Sequence, residues 1–191
     1  MEPILAILVG IGLAAATGFR IFVPFLVISV AANSGHLTLA EGFEWIGTEV
    51  AIGTFLVATI LEISAYYVPV LDNVLDSVAT PASFIAGTIV MASMVSDFSP
   101  YLQWALAIIA GGGIAASVQS LTAITRLTST ATTGGLGNPL FSTAEAGGST
   151  LLSIAAIFIP IVAFLFVVGL LYFVYKKIIL RLFRKPESGL T

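Results

Sequence analysis

The chain has 191 residues, of which 58% are hydrophobic and only 9% are charged, and its mean hydropathy is +1.09. A soluble domain of this length needs many more charged residues to cover its surface, so this composition predicts an integral membrane protein. The chain has no cysteine and a single histidine, His36, which excludes disulfides and thiolate metal sites and leaves too few ligands for a histidine metal centre.

The first apolar segment runs from Pro3 to Ala32, and Arg20 is its only charged residue. A span needs about 20 residues, so this segment is too long for one untilted helix. Gly18 and Pro24 both weaken a helix, which predicts an interruption between Thr17 and Pro24. An arginine at the bilayer centre costs roughly 2.5 to 3.5 kcal/mol on insertion scales, so Arg20 is expected to meet a partner, water or a substrate.

Four further spans follow, which makes about five in all. A linker after residue 32 carries Trp45, a residue type that anchors at membrane interfaces. Asp72 and Asp76 are four residues apart on one face of a predicted short surface helix at 70–78. The four predicted spans are 50–68, 81–95, 101–127 and 150–175. The first contains Glu62 and is ended by Pro69, and the second starts at Thr80-Pro81. Gly111 to Gly113 suit close packing in the third, and Pro160 interrupts the fourth.

Residues 128–149 are rich in Thr, Ser, Gly and Asn, yet Glu145 is their only charged residue. A solvated linker normally carries more charge. We therefore expect irregular backbone that folds back against the bundle, where protein or water satisfies its polar groups. Arg126 precedes this stretch at the predicted end of a span.

The basic residues cluster at the C-terminus: Lys176, Lys177, Arg181, Arg184 and Lys185. Such a cluster beside a span predicts a cytoplasmic side. The expected organisation is one transmembrane domain at 1–175 and a basic cytoplasmic tail at 176–191, in the inner membrane of a cell. Gly12 with Arg20 and Gly113 with Arg126 also suggest a weak two-half repeat of the kind that transporters use.

Several motifs in order resemble the bacterial membrane proteins grouped as domain-of-unknown-function 4126. They are Ala16-Thr-Gly-Phe-Arg20-Ile-Phe-Val-Pro24, Glu62 with Pro69, Asp72 and Asp76, Thr80-Pro81 with Ala86-Gly87, and Arg126 with Gly137-Asn-Pro-Leu-Phe-Ser142 and Glu145. The resemblance covers about residues 8 to 150. Members often carry an acidic–basic pair before the proline of the second span, where this chain has Ala65-Tyr-Tyr-Val68. The family implies no activity.

Two interpretations of Arg20 are possible. It either stabilises the helix bundle by pairing with a carboxylate or with helix-end carbonyls, or it binds an anion beside the loosened backbone at Thr17 and Gly18. Glu62 lies too deep to reach the interface, so it is a partner for Arg20, a proton carrier or a cation ligand. A buried Arg20–Glu62 ion pair is the favoured single interpretation. Arg126 is interpreted as a structural residue that reaches the interface from a span end.

Two more groups of candidates remain. Asp72 and Asp76 either form the polar face of the surface helix or guard a cation path. Asn138, Pro139, Ser142 and Glu145 either cap a helix start, since Ser142 and Glu145 have the spacing of a capping box, or present a helix N-terminus to an anion. The coupling or cation candidates are thus Glu62, Asp72, Asp76 and Glu145, and the substrate-binding candidates are Arg20, Thr17, Gly18, Glu62, Arg126 and Asn138.

Enzyme motifs are absent from the sequence: there is no Walker loop, no zinc-protease motif and no set of Ser, His and Asp for nucleophilic catalysis. We therefore expect a non-enzymatic, all-α polytopic membrane protein without a cofactor or a nucleic-acid partner. The first hypothesis is a small transporter or flippase-like carrier for an anionic solute or lipid phosphate. The alternatives are an oligomeric cation channel and a structural membrane protein. The small-residue helix faces favour homo-oligomers in contact with membrane lipids.

Overall fold

Helices form nearly all of the computed structural model, which describes residues 2–67, 69–96 and 98–182; side chains at 69–74, 76 and 177–182 lie outside the description. No strand occurs in this described part. The α-helices are α1 (Pro3–Phe19), α2 (Phe22–Asn33), α3 (Glu49–Ala65), α4 (Pro69–Met94), α5 (Pro100–Leu106), α6 (Gly113–Thr133), α7 (Asn138–Phe158) and α8 (Pro160–Leu182). A 3-10 helix covers Glu44–Gly47, and a π-helix at Ala107–Gly112 joins α5 to α6. The chain is therefore an all-α polytopic membrane protein.

Within the described part of the chain, three helical stretches are long and apolar enough to cross a membrane individually: Ser77–Met94, Pro100–Thr133 and Asn138–Phe158. Shorter apolar helices cover Pro3–Phe19, Phe22–Asn33 and Pro160–Lys176. The described residues thus form seven antiparallel segments, with α5 to α6 counted as one, compared with the five spans expected from composition. The two extra segments arise because the first apolar stretch is two helices and because residues 138–158 are helical.

The predicted interruption of the first segment is confirmed. Arg20 ends α1 in an extended conformation, with φ −147° and ψ 129°, and α2 starts at Phe22. Along α1, Gly12 lies against Ala156 and Arg20 against Ser142, so α1 is antiparallel to α7. α2 then returns in the opposite direction, which makes α1 and α2 a helical hairpin with Arg20 at its tip.

Two ends of the bundle follow from such contacts. One end, which we call the linker end, contains residues 34–48, residues 95–96 and the α7–α8 junction at Ile159. At this end the His36 ring lies edge-on to the Phe158 ring, and the Ala40 N–H donates to the Ser93 carbonyl. We call the end with residues 134–137 and Lys176 the tail end. The hairpin tip lies near the tail end, and α2 is only about 18 Å long, shorter than the ~30 Å hydrocarbon core.

Close backbone contacts between glycines hold the centre of the bundle together. A Cβ added at Gly87 on α4 would lie 2.7 Å from the Gly111 carbonyl oxygen, and one added at Gly111 would lie 2.5 Å from that of Gly87. A Cβ at Gly12 would lie 2.7 Å from Ala156. Small residues let membrane helices approach this closely, as the sequence predicted for the glycine triplet.

Two local expectations differ from the structure. The sequence predicted a surface helix at 70–78 and a separate span from Pro81. In the structure these two segments are one continuous helix, α4, with Pro81 inside it. A proline cannot donate to the carbonyl four residues earlier, and membrane helices tolerate this loss where neighbouring groups satisfy that carbonyl.

The irregular backbone expected for residues 128–149 is also wrong, because this stretch is the end of α6, a short turn and the start of α7. Thr128, Thr132 and Thr133 donate to carbonyls one turn earlier, so their hydroxyls need no water. Gly134 and Gly135 have positive φ in the turn, where glycine is favoured. The stretch does fold back against the bundle as predicted, since Asn138 is only 4% exposed.

Candidate functional site

Arg20 and Arg126 meet at a single carboxylate, that of Glu145. Arg20 Nη2 donates to Glu145 Oε2 at 3.1 Å, Arg126 Nε donates to Glu145 Oε1 at 3.2 Å, and Arg126 Nη2 pairs with Glu145 Oε2. Both arginines are 1% exposed. Glu145 lies two turns into α7, so this helix carries the carboxylate to arginines from α1 and α6.

Two further residues complete this arginine cluster, which we define as Arg20, Arg126, Glu145, Ser142 and Tyr66. Ser142 accepts from Arg20 Nη2 at both its hydroxyl (2.7 Å) and its carbonyl oxygen (3.2 Å). The Tyr66 ring lies below both guanidinium groups, with each Cζ atom 4.0 Å from its centroid. Such cation–π contacts strengthen where water is excluded.

Arg20 retains unmatched donors. Its Nε and Nη1 atoms are buried and have no hydrogen-bond partner within the described part of the chain. An arginine has five N–H donors, and buried donors without acceptors are costly. Among the described residues, Glu145 is the carboxylate that pairs with both guanidinium groups. Arg20 therefore has N–H groups available to a further acceptor.

Glu62 is not the partner of Arg20 that the sequence favoured. Its carboxylate accepts from the backbone N–H groups of Ile21, at 2.8 Å, and Phe22, at 3.1 Å. These groups begin α2 and have no intrahelical acceptor. Glu62 thus caps the broken hairpin from α3, and the negative charge also suits the positive end of the α2 dipole. The expected contact of Arg20 with a carboxylate is confirmed, but its partner is Glu145.

Arg126 and the proposed capping box also differ from expectation. Arg126 does not reach the interface; it lies seven residues before the end of α6 and is buried. Ser142 and Glu145 do not cap the start of α7, which begins at Asn138. They lie one and two turns inside the helix, where both face the arginines. The sequence underestimated these residues because a capping box and an inward-facing pair have the same spacing.

The remaining candidates have other surroundings. The Thr17 hydroxyl donates to the Leu13 carbonyl at 2.9 Å, and a Cβ at Gly18 would lie 2.5 Å from the Ala115 carbonyl oxygen, so Gly18 allows α1 to approach α6. Asn138 Nδ2 donates to the Thr130 hydroxyl at 2.9 Å and ties the α6–α7 turn together. The side chains of Asp72 and Asp76 lie outside the described residues.

Sequence reasoning missed Tyr66 entirely. It is 5% exposed and lies at the end of α3, in the stretch where the resemblance had suggested a charged pair. The signal available for Glu145 was its isolation, since an acidic residue alone in neutral membrane sequence needs a cation. The residues that suggested a two-half repeat occupy unlike positions: Arg20 ends a helix, whereas Arg126 lies inside one.

A groove of about 660 Å³ lies between α6 and the tail-end parts of α7 and α8, and no member of the arginine cluster lines it. Its lining is mostly apolar and includes Ser129, Gly137 and Phe173. Ser129 is one turn after Arg126 on the same face of α6. Among the described residues, no group of three or more His, Cys, Asp or Glu side chains is arranged to hold a metal ion.

Comparison with known proteins adds the family. No curated protein and no solved structure matches the chain. The model of the domain of unknown function DUF4126 matches residues 7–179, which includes every member of the arginine cluster. The chain therefore belongs to the DUF4126 family of unknown function.

Proposed function

We propose that this protein is a small membrane carrier for an oxyanion, either free in solution or as the phosphate of an anionic lipid, with Arg20 and Arg126 as its anion ligands. The observation that carries the proposal is the unmatched Nε and Nη1 of a buried Arg20 beside a second guanidinium group. Charged residues inside a membrane often mark substrate or ion sites, and the planar N–H donors of a guanidinium group match the oxygens of phosphate or sulfate.

The broken α1–α2 hairpin supports the same proposal. Substrate sites in membrane carriers often lie at discontinuous helices, where helix ends face a ligand. Here Glu62 occupies the first N–H groups of α2, so the anion would bind the arginine side chains instead of this helix end. The cluster is closed to solvent, and in a carrier such a closed site would be the occluded state of the transport cycle. The basic residues from Lys176 onward favour a cytoplasmic tail end in a cell inner membrane.

A second candidate is a structural membrane protein in which the charges only pin the helices. The observation in its favour is the closed cluster, since both arginines are 1% exposed. The two functions differ in whether added anions bind. They also differ in whether anion binding is lost when a lysine replaces Arg20, because lysine keeps the positive charge but lacks the planar set of N–H donors.

Thermal unfolding of the purified protein in detergent separates these functions. We expect sulfate or phosphate to raise the melting temperature of the wild type, with gluconate salts as the ionic-strength control. Arg20→Lys keeps the charge and loses the fork, so this stabilisation should largely disappear. Lys176→Gln, which removes an exposed charge on α8, should respond like the wild type. No anion-dependent shift in the wild type, or an undiminished shift in Arg20→Lys, would contradict the anion site.

Proteoliposomes distinguish the two sources of the anion. Uptake of labelled sulfate or phosphate that Arg20→Lys abolishes indicates a carrier of free anions. Translocation of a fluorescent anionic phospholipid between leaflets, without uptake of the free anions, indicates a lipid phosphate. The mostly apolar groove between α6, α7 and α8 supports this outcome. If the protein binds anions but shows neither uptake nor lipid translocation, the transport proposal is contradicted and the anion site is retained.

A further inference from the structure

We infer that the groove between α6, α7 and α8 binds one anionic phospholipid of the tail-end leaflet, with a fatty-acyl chain in the groove and an ester carbonyl that accepts from the Ser129 hydroxyl. This site is separate from the arginine cluster, and the inference does not depend on the proposed transport. The groove has a volume of about 660 Å³ and a mostly apolar lining. Ligand pockets typically measure about 300 to 1,000 Å³.

Ser129 differs from the other hydroxyl-bearing residues of the groove lining. Four of them donate to carbonyls one turn earlier in α6: Thr125, Thr128, Thr132 and Thr133. Ser129 is 6% exposed, and its Oγ atom is buried without a hydrogen-bond partner in the described part of the chain. A buried hydroxyl without a partner costs free energy. Since serine has a single χ1 torsion with three staggered positions, this hydroxyl can turn to an acceptor that enters the groove.

The depth of Ser129 matches the ester region of a lipid leaflet. Ser129 lies four residues before the end of α6 at Thr133, which is about 6 Å along the helix axis. The interfacial layer on each side of a bilayer is about 5 to 7 Å thick. From Ser129 back to Leu121, where the groove lining of α6 begins, the distance is about 12 Å. One leaflet contributes about 15 Å of hydrocarbon, so the groove has the length of one acyl chain.

The charge of the tail end favours an anionic headgroup. α8 lines the groove as far as Val174, and the basic cluster of the sequence starts two residues later at Lys176, which is exposed. Four more basic residues follow before position 186, and the tail-end turn at 134–137 has no charged residue. Basic residues clustered next to a span attract anionic lipids through their combined field. The lipid phosphate would therefore lie at the tail end, above the ester at Ser129.

The size of the groove excludes a helix of a second copy as its occupant. The lining of α6 extends from Leu121 to Thr133, which is about 18 Å. A helix of this length and about 10 Å across fills about 1,400 Å³, or roughly twice the volume of the groove. A helix would also leave the Ser129 hydroxyl without an acceptor, because its carbonyls bond within the helix. An extended acyl chain with an ester group meets both requirements.

Native mass spectrometry of the purified full-length protein in detergent tests the inference, because it counts bound lipids. With added phosphatidylglycerol, we expect one molecule to bind more tightly than any further ones. Phosphatidylcholine has the same ester-linked chains but no net charge, so it should bind several-fold more weakly. Equal binding of the two lipids would overturn the anionic occupant.

Two variants with matched controls locate this lipid. Ser129→Ala should weaken phosphatidylglycerol binding about two- to tenfold, the range of one hydrogen bond, without lowering the melting temperature of the lipid-free protein. Ser120→Ala is its control, because that exposed hydroxyl donates to the Ala116 carbonyl and lies outside the groove. Ile124→Trp should fill the groove and abolish the tight binding. Leu127→Trp, at an exposed residue of α6 that does not line the groove, should keep it.

The outcomes separate this site from the proposed anion site. Saturating sulfate should leave the phosphatidylglycerol bound, whereas displacement by sulfate would place the lipid phosphate at the arginine cluster and overturn the groove site. Wild-type binding of phosphatidylglycerol by Ser129→Ala and Ile124→Trp would also overturn it and leave the anion site untouched. A wild type whose melting temperature does not respond to sulfate would remove only the anion site.

Discussion

At the scale of single residues, the central feature is that the Glu145 carboxylate contacts two buried arginines. Removal of one partner from a buried charged pair typically costs about 3 to 5 kcal/mol, because the other is left without compensation. Glu145 is an ion-pair partner of both Arg20 and Arg126. The Tyr66 ring makes a cation–π contact with each guanidinium group, so ion pairs are not the only interactions that stabilise the described cluster.

Tyr66 gives the clearest residue-scale prediction. Tyr66→Leu removes the aromatic ring and should destabilise the protein by about 1 to 2 kcal/mol for each of the two cation–π contacts. Tyr66→Phe keeps the ring and should retain most of that stability. Thermal or urea unfolding in the same detergent measures both variants. Equal losses in the two variants would mean that the hydroxyl, and not the ring, stabilises the cluster.

At the scale of secondary-structure elements, the break between α1 and α2 is possible because other helices satisfy its backbone. Glu62 from α3 accepts from the first N–H groups of α2, and the Ser149 hydroxyl from α7 donates to the Ala16 carbonyl at 2.9 Å near the end of α1. Irregular backbone persists inside a membrane only with such partners. The hairpin is therefore a product of the whole bundle.

The contact between α4 and the π-helix supplies an element-scale prediction. Gly87→Ala would place a Cβ 2.4 Å from the Ala115 Cβ and 2.7 Å from a backbone oxygen, so the helices must separate. We expect a loss of about 1 to 3 kcal/mol, as is typical of overpacking. Gly113→Ala is the matched control, because no atom lies within 4 Å of its added Cβ; it should be neutral or slightly stabilising.

The melting temperatures of these two variants test whether α4 packs closely against the π-helix. A Gly87→Ala protein as stable as Gly113→Ala would mean that α4 and the π-helix are not in the close contact described here. This comparison also isolates packing from helix propensity, since both substitutions replace a helical glycine with alanine.

At the scale of the whole molecule, the alternation of helix direction defines which loops share a membrane side. The linker end contains residues 34–48, and the tail end contains the α6–α7 turn. Because the chain has no cysteine, single substitutions give unambiguous labelling. Thr38→Cys and Leu136→Cys both replace exposed residues.

We expect a membrane-impermeant thiol reagent to label Thr38→Cys from outside intact cells and to label Leu136→Cys only after the membrane is opened. The physical reason is the basic cluster from Lys176 onward, which favours a cytoplasmic tail end. Labelling of both sites from the same side would contradict the antiparallel arrangement. Exchange of the two patterns would reverse only the orientation.

The sequence by itself determined that this is an all-α membrane protein, that its first apolar segment is broken near Arg20, and that Arg20 must meet a partner, water or a substrate. These properties depend on local features: hydrophobic length, a glycine and a proline in a helix, and a charge that cannot be neutralised. The helical nature of residues 128–149 was also a local property, but it was missed because hydroxyl groups that bond within their own helix look like loop residues in the sequence.

Only the tertiary structure decided which carboxylate serves Arg20, because Glu62 and Glu145 are both plausible in sequence and the choice depends on how α3 and α7 pack against the hairpin. Glu145 lies 125 residues from Arg20 and 19 from Arg126. The same packing placed the Tyr66 ring under two cations. Electrostatic partners in a membrane are selected by proximity in the folded bundle, and spacing along the chain does not contain that information.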